Sequence, residues 1–321
     1  MQGFAKLSDR LQLKDGPQLD AFSRLRVSQP FCLFEAQHVY GLSPYQFGYY
    51  NTSDGTAPAF NGTTKMVDLV VAIGAVGGTS IAQSLNRFPY QPGKSQLAIC
   101  TFVLGSGVAS AKKRIGIFDG TDGLYLEQDG TNGLYVVVLK AGSATRVAQT
   151  NWNVDKFDGS GPSGITLDPT KAQILMIDFQ YLAMGRVRFC FDIDGVVYCA
   201  HEFKHANSVT APYMNCSCLP IRAEVSATVG LAGNATMNFK CAAVYSEGGF
   251  EAGMGYTFGT VSTAVTAQTS RTHAVSLRPK LLFKTVTNRS FIRLDSFEIL
   301  VGSNQIFWEI CIGTTFTNAP T

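Results

Sequence analysis

The feature that most constrains this 321-residue sequence is a pair of apolar segments joined by Asp194-Gly195. A two-residue Asp-Gly connection between alternating segments is typical of a β-hairpin, because a type I′ turn needs positive φ at both central residues. The short loop fixes the register and places Ile193 opposite Val196. One face of the hairpin then carries Val187, Phe189, Phe191, Ile193, Val196, Tyr198 and Ala200. The sequence therefore predicts a stiff hairpin whose apolar face packs against a second layer.

The rest of the chain contains many short strand patterns and no clear amphipathic helix. Residues 113–140 include the motif Asp-Gly-Thr-x-Gly-Leu-Tyr twice, at 119–125 and 129–135, which predicts a three-stranded meander with tight turns. Residues 174–181 are largely apolar on both faces and predict a central strand. Short strands spaced by about 8–12 residues indicate two packed sheets. We therefore predict an all-β fold, an antiparallel β-sandwich of the jelly-roll or concanavalin-like type.

Composition shifts along the chain predict three regions. Residues 1–30 mix polar and apolar side chains without a sustained period, which favours an extended docking arm, with a free tail as the alternative. Residues 31–247 form the predicted sandwich domain. Glycines from Gly248 onward mark a boundary, and residues 248–321 are predicted to form a smaller β region that mediates oligomerisation. The candidate contacts of the arm are Phe22, Arg24, Arg26 and Phe31.

Charge and hydropathy exclude several classes of partner. Charged residues make up 15% of the chain, well below the usual quarter, which suits a protein that buries much of its surface against neighbours. The net charge is +3 and the basic residues are scattered, so we expect no nucleic-acid partner. The longest apolar run, residues 69–76, is too short to cross a bilayer. The first residues contain no apolar signal core, so we expect neither secretion nor membrane anchoring.

Eight cysteines are present, and two of them bear on the hairpin. In the predicted register Cys190 lies directly opposite Cys199, so a cross-strand disulfide fits. Two packed thiols are the interpretation that we favour, and with them a reducing assembly compartment. The pair Cys216 and Cys218 has no second ligand pair at zinc-site spacing. We expect no metal and no other cofactor.

His201-Glu-Phe-Lys-His205 matches the HExxH pattern of zinc peptidases. That chemistry needs both histidines on one face of a helix. Here the motif begins in the second strand of the hairpin, where residues four apart are separated by roughly 13 Å. We therefore predict a strand that ends in a loop, with His201 facing Arg188 across the hairpin. The repeated Asp-Gly motifs are explained by turn chemistry without calcium, which needs about six or more oxygen ligands.

Six stretches of the sequence, taken in order, resemble a known protein family. They are Asp20 to Glu35 (DAFSRLRVSQPFCLFE), Arg87 to Gln96 (RFPYQPGKSQ), Lys113 to Glu127 (KRIGIFDGTDGLYLE), Trp152 to Ile174, Gly185 to Gly195 and His201 to Asn207. Together they are similar to structural proteins from the virions of tailed phages and large aquatic viruses. The resemblance spans roughly residues 20 to 207. It implies a place on the capsid surface, neck, fibre or tail, and it transfers no catalytic residue.

Three hypotheses about function follow. The first is a non-enzymatic virion structural protein that is assembled in the host cytoplasm and contacts other virion proteins and copies of itself; the resemblance implies a homotrimer. The second is a sandwich that binds host surface glycans through exposed aromatic rings, with Trp152 and Tyr181 as candidate contacts. The third is a polysaccharide-degrading enzyme that uses Asp178 or Glu202.

Overall fold

The computed structural model describes residues 29–249 continuously, together with single positions and short stretches between 275 and 310. In residues 29–249 the regular elements are strands, apart from one three-residue 3-10 helix at Gln149–Asn151. The strands are β1 (Pro30–Gln37), β2 (Phe47–Thr52), β3 (Ala59–Asn61), β4 (Met66–Val71), β5 (Thr79–Ser84), β6 (Ser95–Val103), β7 (Ala111–Phe118), β8 (Gly123–Asp129), β9 (Leu134–Lys140), β10 (Ser143–Ala148), β11 (Gln173–Phe179), β12 (Val187–Ile193), β13 (Val196–Phe203), β14 (Ile221–Ala227) and β15 (Ala235–Glu247).

These strands form two antiparallel sheets that pack face to face, which confirms the predicted β-sandwich. Sheet one has the order β13-β12-β11-β6-β15-β4-β3, with β1 also paired to β15. Sheet two has the order β10-β9-β8-β7-β14-β5-β2. Alternate residues of each strand point into the space between the sheets, because side chains of a strand alternate between its two faces. Among the fully buried side chains of this core are Phe102, Ile115, Phe179, Phe189, Phe191 and Phe239.

The predicted meander and central strand are both confirmed. Residues 113–140 fall in β7, β8 and β9, which pair in sequence order. Strand β11 lies between β6 and β12 in the interior of sheet one. Within the described residues, no helix has the length and apolar character needed to cross a membrane.

The chain divides into two compact units between Phe250 and Glu251. In the second unit, β16 (Leu282–Phe283) and β17 (Val286–Thr287) form a short antiparallel pair. Three predicted arm contacts, Phe22, Arg24 and Arg26, lie outside the described residues. The fourth, Phe31, lies in β1 opposite Ser246 and is 47% exposed.

The hairpin of β12 and β13 forms as predicted at its turn and departs from the prediction at its other end. Asp194 and Gly195 both have positive φ, at 55° and 83°, and Ile193 pairs with Val196. A β-bulge then shifts the register, so that Phe189 pairs with His201 instead of Ala200. A bulge re-aims the side chains that follow it.

Because of the bulge, the predicted position of His201 is wrong: its side chain is buried and does not face Arg188. The imidazole is 6% exposed, and its Nδ1 accepts a hydrogen bond from the Asn153 amide at 3.2 Å. Burial lowers the pKa of His201 below its ordinary value, although the charge of Glu202 opposes this. Glu202, and not His201, therefore faces Arg188. The register also holds Cys190 opposite Cys199, and the two are joined in a disulfide, so the prediction of two free thiols is wrong.

The loop after β10 closes the exposed edge of β13. Trp152 is 3% exposed, and its indole N–H donates to the Val147 carbonyl at 3.2 Å. The next residue, Asn153, donates from its side chain to the Glu202 carbonyl and accepts from the Glu202 amide, both at 2.9 Å. These bonds occupy backbone groups that an open sheet edge would offer to another chain. The buried indole and the Asn153 side chain therefore hold this loop in place.

Lys113 points into the sandwich from β7 and is 1% exposed. Its ammonium donates to the carbonyls of Leu104 and Ser106 at 2.6 and 2.7 Å, which ties the loop after β6 to sheet two. Burial lowers the pKa of this amine to about 8, from the ordinary value of 10.5. Between these two pH values the unfolded chain binds a proton that the folded chain does not, so the free energy of unfolding rises with pH.

We therefore expect the wild-type protein to gain about 2–3 kcal/mol from Lys113 between pH 8 and 10.5. The measurement is urea unfolding at several pH values, with Lys113→Met as the comparison. The variant keeps the length of the side chain and removes the titrating group, so its pH dependence in this range should be flatter than that of the wild type. If the free energy of unfolding depends on pH in the same way in both proteins, the pKa of Lys113 is not lowered by folding.

Candidate functional site

The outer face of sheet two carries two rows of side chains that cross all seven strands. The first row contains Tyr50, Ile81, Glu224, Arg114, Glu127, Tyr135 and Ala148. The second contains Gly48, Gln83, Arg222, Gly116, Tyr125, Val137 and Arg146. We call the partly exposed polar and aromatic side chains of these rows, together with the two buried glutamates between them, the tyrosine–arginine face. It consists of Tyr50, Gln83, Arg114, Glu127, Tyr135, Arg146, Arg222 and Glu224.

The charges on this face alternate and form continuous ion pairs. Arg114 donates to Glu127 at 2.7 Å and to Glu224 at 2.8 Å. At one end Arg222 contacts Glu224 at 2.5 Å, and at the other Arg146 contacts Glu127 at 2.6 Å. The two carboxylates are 1% and 7% exposed, whereas the guanidinium side chains are 18–30% exposed. The surface of the network is therefore made of hydrogen-bond donors.

Each arginine of the face also lies over an aromatic ring. The guanidinium of Arg146 is 4.0 Å from the ring centroid of Tyr135, and that of Arg114 is 5.7 Å from Tyr125. A guanidinium within about 6 Å of an aromatic face is attracted to it, and the stacking fixes the plane of the group. The donors are thus held in fixed orientations, as recognition of a ligand with several hydroxyl groups requires.

Tyr50 provides the exposed ring at one end of the face. A Cβ atom on Gly48 would lie 2.1 Å from the Tyr50 hydroxyl oxygen, so the ring folds back along β2 over the glycine. The absence of a side chain at position 48 makes this close approach possible. Tyr50 is 49% exposed, and Gln83 and Ile81 are its neighbours on the next strand. A ring that rests on backbone with much of its surface in water is a platform on which an apolar ligand surface can stack.

The strand that carries Tyr50 is fixed to the sandwich by a buried histidine. His38 Nδ1 donates to the Lys240 carbonyl at 2.9 Å, and its Nε2 accepts from the Tyr49 hydroxyl at 2.8 Å. That hydroxyl accepts in turn from the Ser43 amide. Burial lowers the pKa of His38, an effect that the bond to Lys240 offsets only in part. The imidazole therefore joins β1, β2 and β15 in its neutral form.

The structure places the two predicted glycan contacts away from this face. Trp152 packs in the core against Phe157 and Phe191, so it has no ring face in solvent. Tyr181 is half-buried, and its hydroxyl donates to the Met214 carbonyl at 2.9 Å. On the tyrosine–arginine face the half-exposed ring is that of Tyr50, which the prediction did not name. The concentration of aromatic residues between positions 31 and 50 was the sequence signal for it.

The carboxylates proposed for an enzyme are also engaged by cations. Asp178 accepts from Arg188 Nε at 2.8 Å, and a second bond comes from Nη2. Glu202 lies 3.5 Å from both Arg186 and Lys204. His205 Nδ1 is 2.7 Å from the Gly185 carbonyl, and the ring stacks on Tyr213. In the part of the chain that the structure describes, no group of three His, Cys, Asp or Glu side chains is arranged to hold a metal ion.

Comparisons with known proteins give distant structural likenesses. No family model and no curated protein matches the chain. A protein of unknown function from Shewanella oneidensis is similar over 71% of this chain and 91% of its own, at 10% identity and a TM-score of 0.44. A glycosyl hydrolase family protein from Mycobacterium fortuitum is similar over 67% of this chain and 99% of its own, at 12% identity and a TM-score of 0.43. The binding domain of botulinum neurotoxin DC, in complex with SialylT, is similar over 67% of this chain and 47% of its own, at 12% identity and a TM-score of 0.37. Likenesses this distant do not transfer an activity to this chain.

Proposed function

We propose that this protein is a non-enzymatic glycan-binding protein that contacts sugars through the tyrosine–arginine face. The observation that carries the proposal is the half-exposed ring of Tyr50, held over Gly48 at one end of a row of fixed donors. Sugars present apolar C–H surfaces beside hydroxyl groups. An aromatic platform next to oriented polar side chains is the arrangement that recognises both.

The donors of the face suit hydroxyl groups in number and position. Arg222 donates to Gln83 Oε1 at 3.1 Å, which leaves the amide N–H groups of Gln83 next to the Tyr50 ring. Arg114 and Arg146 continue the donors toward Tyr135, the second partly exposed ring. A chain of several sugar units laid across the strands would therefore meet the Tyr50 ring at one end and Arg146, stacked on Tyr135, at the other.

The state of the carboxylates supports binding rather than catalysis. A glycosidase needs one carboxyl group that gives a proton and a second that acts as nucleophile or base. Glu127 and Glu224 share Arg114, and each contacts one further arginine. Asp178 is bonded to Arg188, and Glu202 contacts two cations. These carboxylate oxygens are engaged in ion pairs within the protein, which supports a binding role over proton transfer or nucleophilic attack.

The proposal predicts that Tyr50→Ala weakens glycan binding by about five- to a hundredfold, because stacking on an aromatic ring contributes on the order of 1–3 kcal/mol. A glycan array with the wild-type protein identifies the ligand, and titration calorimetry then compares the variants. Gly48→Ala displaces the ring without removing it, so it should weaken binding similarly. Tyr245→Ala, at a partly exposed tyrosine on the outer face of sheet one, is the matched control and should bind as the wild type does.

An array without any ligand would contradict the proposal. So would binding that persists in both Tyr50→Ala and Gly48→Ala. Release of reducing sugar from the bound glycan would contradict the non-enzymatic part of the proposal. In that case variants of Asp178 and Glu202 would show whether the carboxylates favoured by the sequence are responsible.

A second proposal concerns where the sandwich is displayed. The sequence resemblance favours a virion component, and the described chain supports an attached sandwich, because it enters and leaves at one place. The Gly249 amide donates to the Gln29 carbonyl at 2.9 Å, and Pro30 pairs with Glu247. Gln29 and Gly249, the first and last residues of the described sandwich, are therefore neighbours. Antibodies against residues 29–249 should label intact virus particles, and native mass spectrometry should show a homotrimer; unlabelled particles or a monomer would contradict this proposal.

A further inference from the structure

A polar cleft of about 340 Å³ lies on the outer side of sheet one, where β11 ends and β12 begins. It is on the opposite sheet from the tyrosine–arginine face. Its charged lining consists of Lys94, Arg186, Arg188, Asp178 and Glu247. Three cations against two carboxylates give the cleft a net charge of +1. Its volume falls in the range of pockets that hold small molecules, about 300–1,000 Å³.

Both carboxylates of the cleft have donors within the protein. Asp178 accepts from two nitrogens of Arg188. Glu247 Oε2 accepts from the Ser95 hydroxyl at 2.5 Å. Arg188 balances the charge of Asp178, and the neutral Ser95 hydroxyl fixes the position of Glu247. The remaining positive charge therefore determines which ligand the cleft attracts.

Arg186 is the cation with unused donors. Its Nη1 lies 3.5 Å from Glu202 Oε1, and its side chain is 51% exposed. A guanidinium has five N–H donors in a planar fork that matches a carboxylate. Apart from that ion pair, no hydrogen bond joins its side chain to another described residue. Lys94 donates to Gln91 Oε1 at 2.9 Å and to the Gly249 carbonyl at 3.3 Å, so its charge is fixed at the rim of the cleft.

We propose that this cleft binds an acidic sugar. The carboxylate of the ligand pairs with Arg186, and its hydroxyl groups bond to Gln180, Ser95 and the outer oxygens of Asp178 and Glu247. A neutral sugar lacks the group that Arg186 requires, and a simple carboxylate lacks the hydroxyls that the other side chains can bond. The site is independent of Tyr50, so it stands or falls separately from the glycan binding proposed above.

The test is titration calorimetry of the full chain with glucuronate, glucose and acetate. We expect glucuronate to bind more tightly than either of the others, and its affinity to fall as salt is added. Arg186→Gln should weaken glucuronate binding about ten- to a hundredfold, as the loss of a charge-assisted pair does. Lys171→Gln removes another exposed cation and is the matched control. Gln180→Leu should weaken glucuronate and leave acetate unchanged.

Equal affinities for glucuronate and glucose would overturn the proposal, as would an Arg186→Gln variant that binds like the wild type. Acetate that binds as tightly as glucuronate would overturn the assignment to a sugar. Tyr50→Ala should keep the glucuronate site intact. Loss of glucuronate binding in that variant would also overturn the proposal, because it would place the ligand on sheet two.

Discussion

Replacing Arg114 with methionine should lower the free energy of unfolding by about 3–5 kcal/mol, because two charge-assisted hydrogen bonds to almost fully buried carboxylates are lost and each carboxylate keeps only one arginine. Arg114 is shared by Glu127 and Glu224, whose side chains are 1% and 7% exposed. Methionine keeps most of the packing of the side chain and removes the charge. The measurement is urea unfolding at pH 7, monitored by tryptophan fluorescence and by circular dichroism.

Arg188→Met is the matched control for this prediction. Arg188 pairs with one carboxylate, Asp178, and its side chain is 37% exposed, so its loss should cost about 1 kcal/mol or less. Adding Glu127→Gln and Glu224→Gln to Arg114→Met should recover part of the stability, because the two buried carboxylates, each left with a single arginine, are then replaced by neutral side chains. Equal costs for Arg114→Met and Arg188→Met would show that burial of the network does not determine its contribution.

The second large effect is expected at Trp152. Trp152→Ala should cost about 3–5 kcal/mol, as the loss of a buried aromatic side chain does. The indole packs on Phe157 and Phe191, and its N–H bond to Val147 holds the loop that closes the edge of β13. Unfolding in urea measures the cost, and glycan titration at low temperature, where the variant is folded, measures binding.

Trp152→Phe separates packing from the hydrogen bond, because it keeps a ring and removes the donor. We expect a smaller loss, about 1–2 kcal/mol. Both variants should bind glycans with wild-type affinity when folded, since the indole has no face in solvent. A folded Trp152→Ala variant with wild-type stability and no glycan binding would return Trp152 to the role that the sequence first indicated for it.

The parts of the fold that depend on local chemistry could be predicted from the sequence. The turn at Asp194-Gly195 follows from the φ angles that these residues accept, and the pairing of Ile193 with Val196 follows from the turn. The bulge at Ala200 could not be predicted in the same way. The Ala200 carbonyl accepts from the amides of Val154 and Asp155, so the bulge depends on a loop that is distant in the sequence.

The candidate site could not be predicted from the sequence either, because it also depends on contacts between distant parts of the chain. Strand β14 inserts between β7 and β5, which brings Glu224 beside Arg114 although the two are 110 positions apart. Alternation along each strand indicates which residues share a face, but the order of strands in the sheet decides which faces become neighbours. Tyr50 lies in a sequence segment rich in aromatic residues, but the position of its ring over Gly48 is visible only in the folded strand.

The bond between Gln29 and Gly249 means that residues 29–249 begin and end at one point on their surface. A segment whose two ends are neighbours is suited to insertion into an exposed loop of an unrelated protein, because the two sides of that loop would hardly have to move apart.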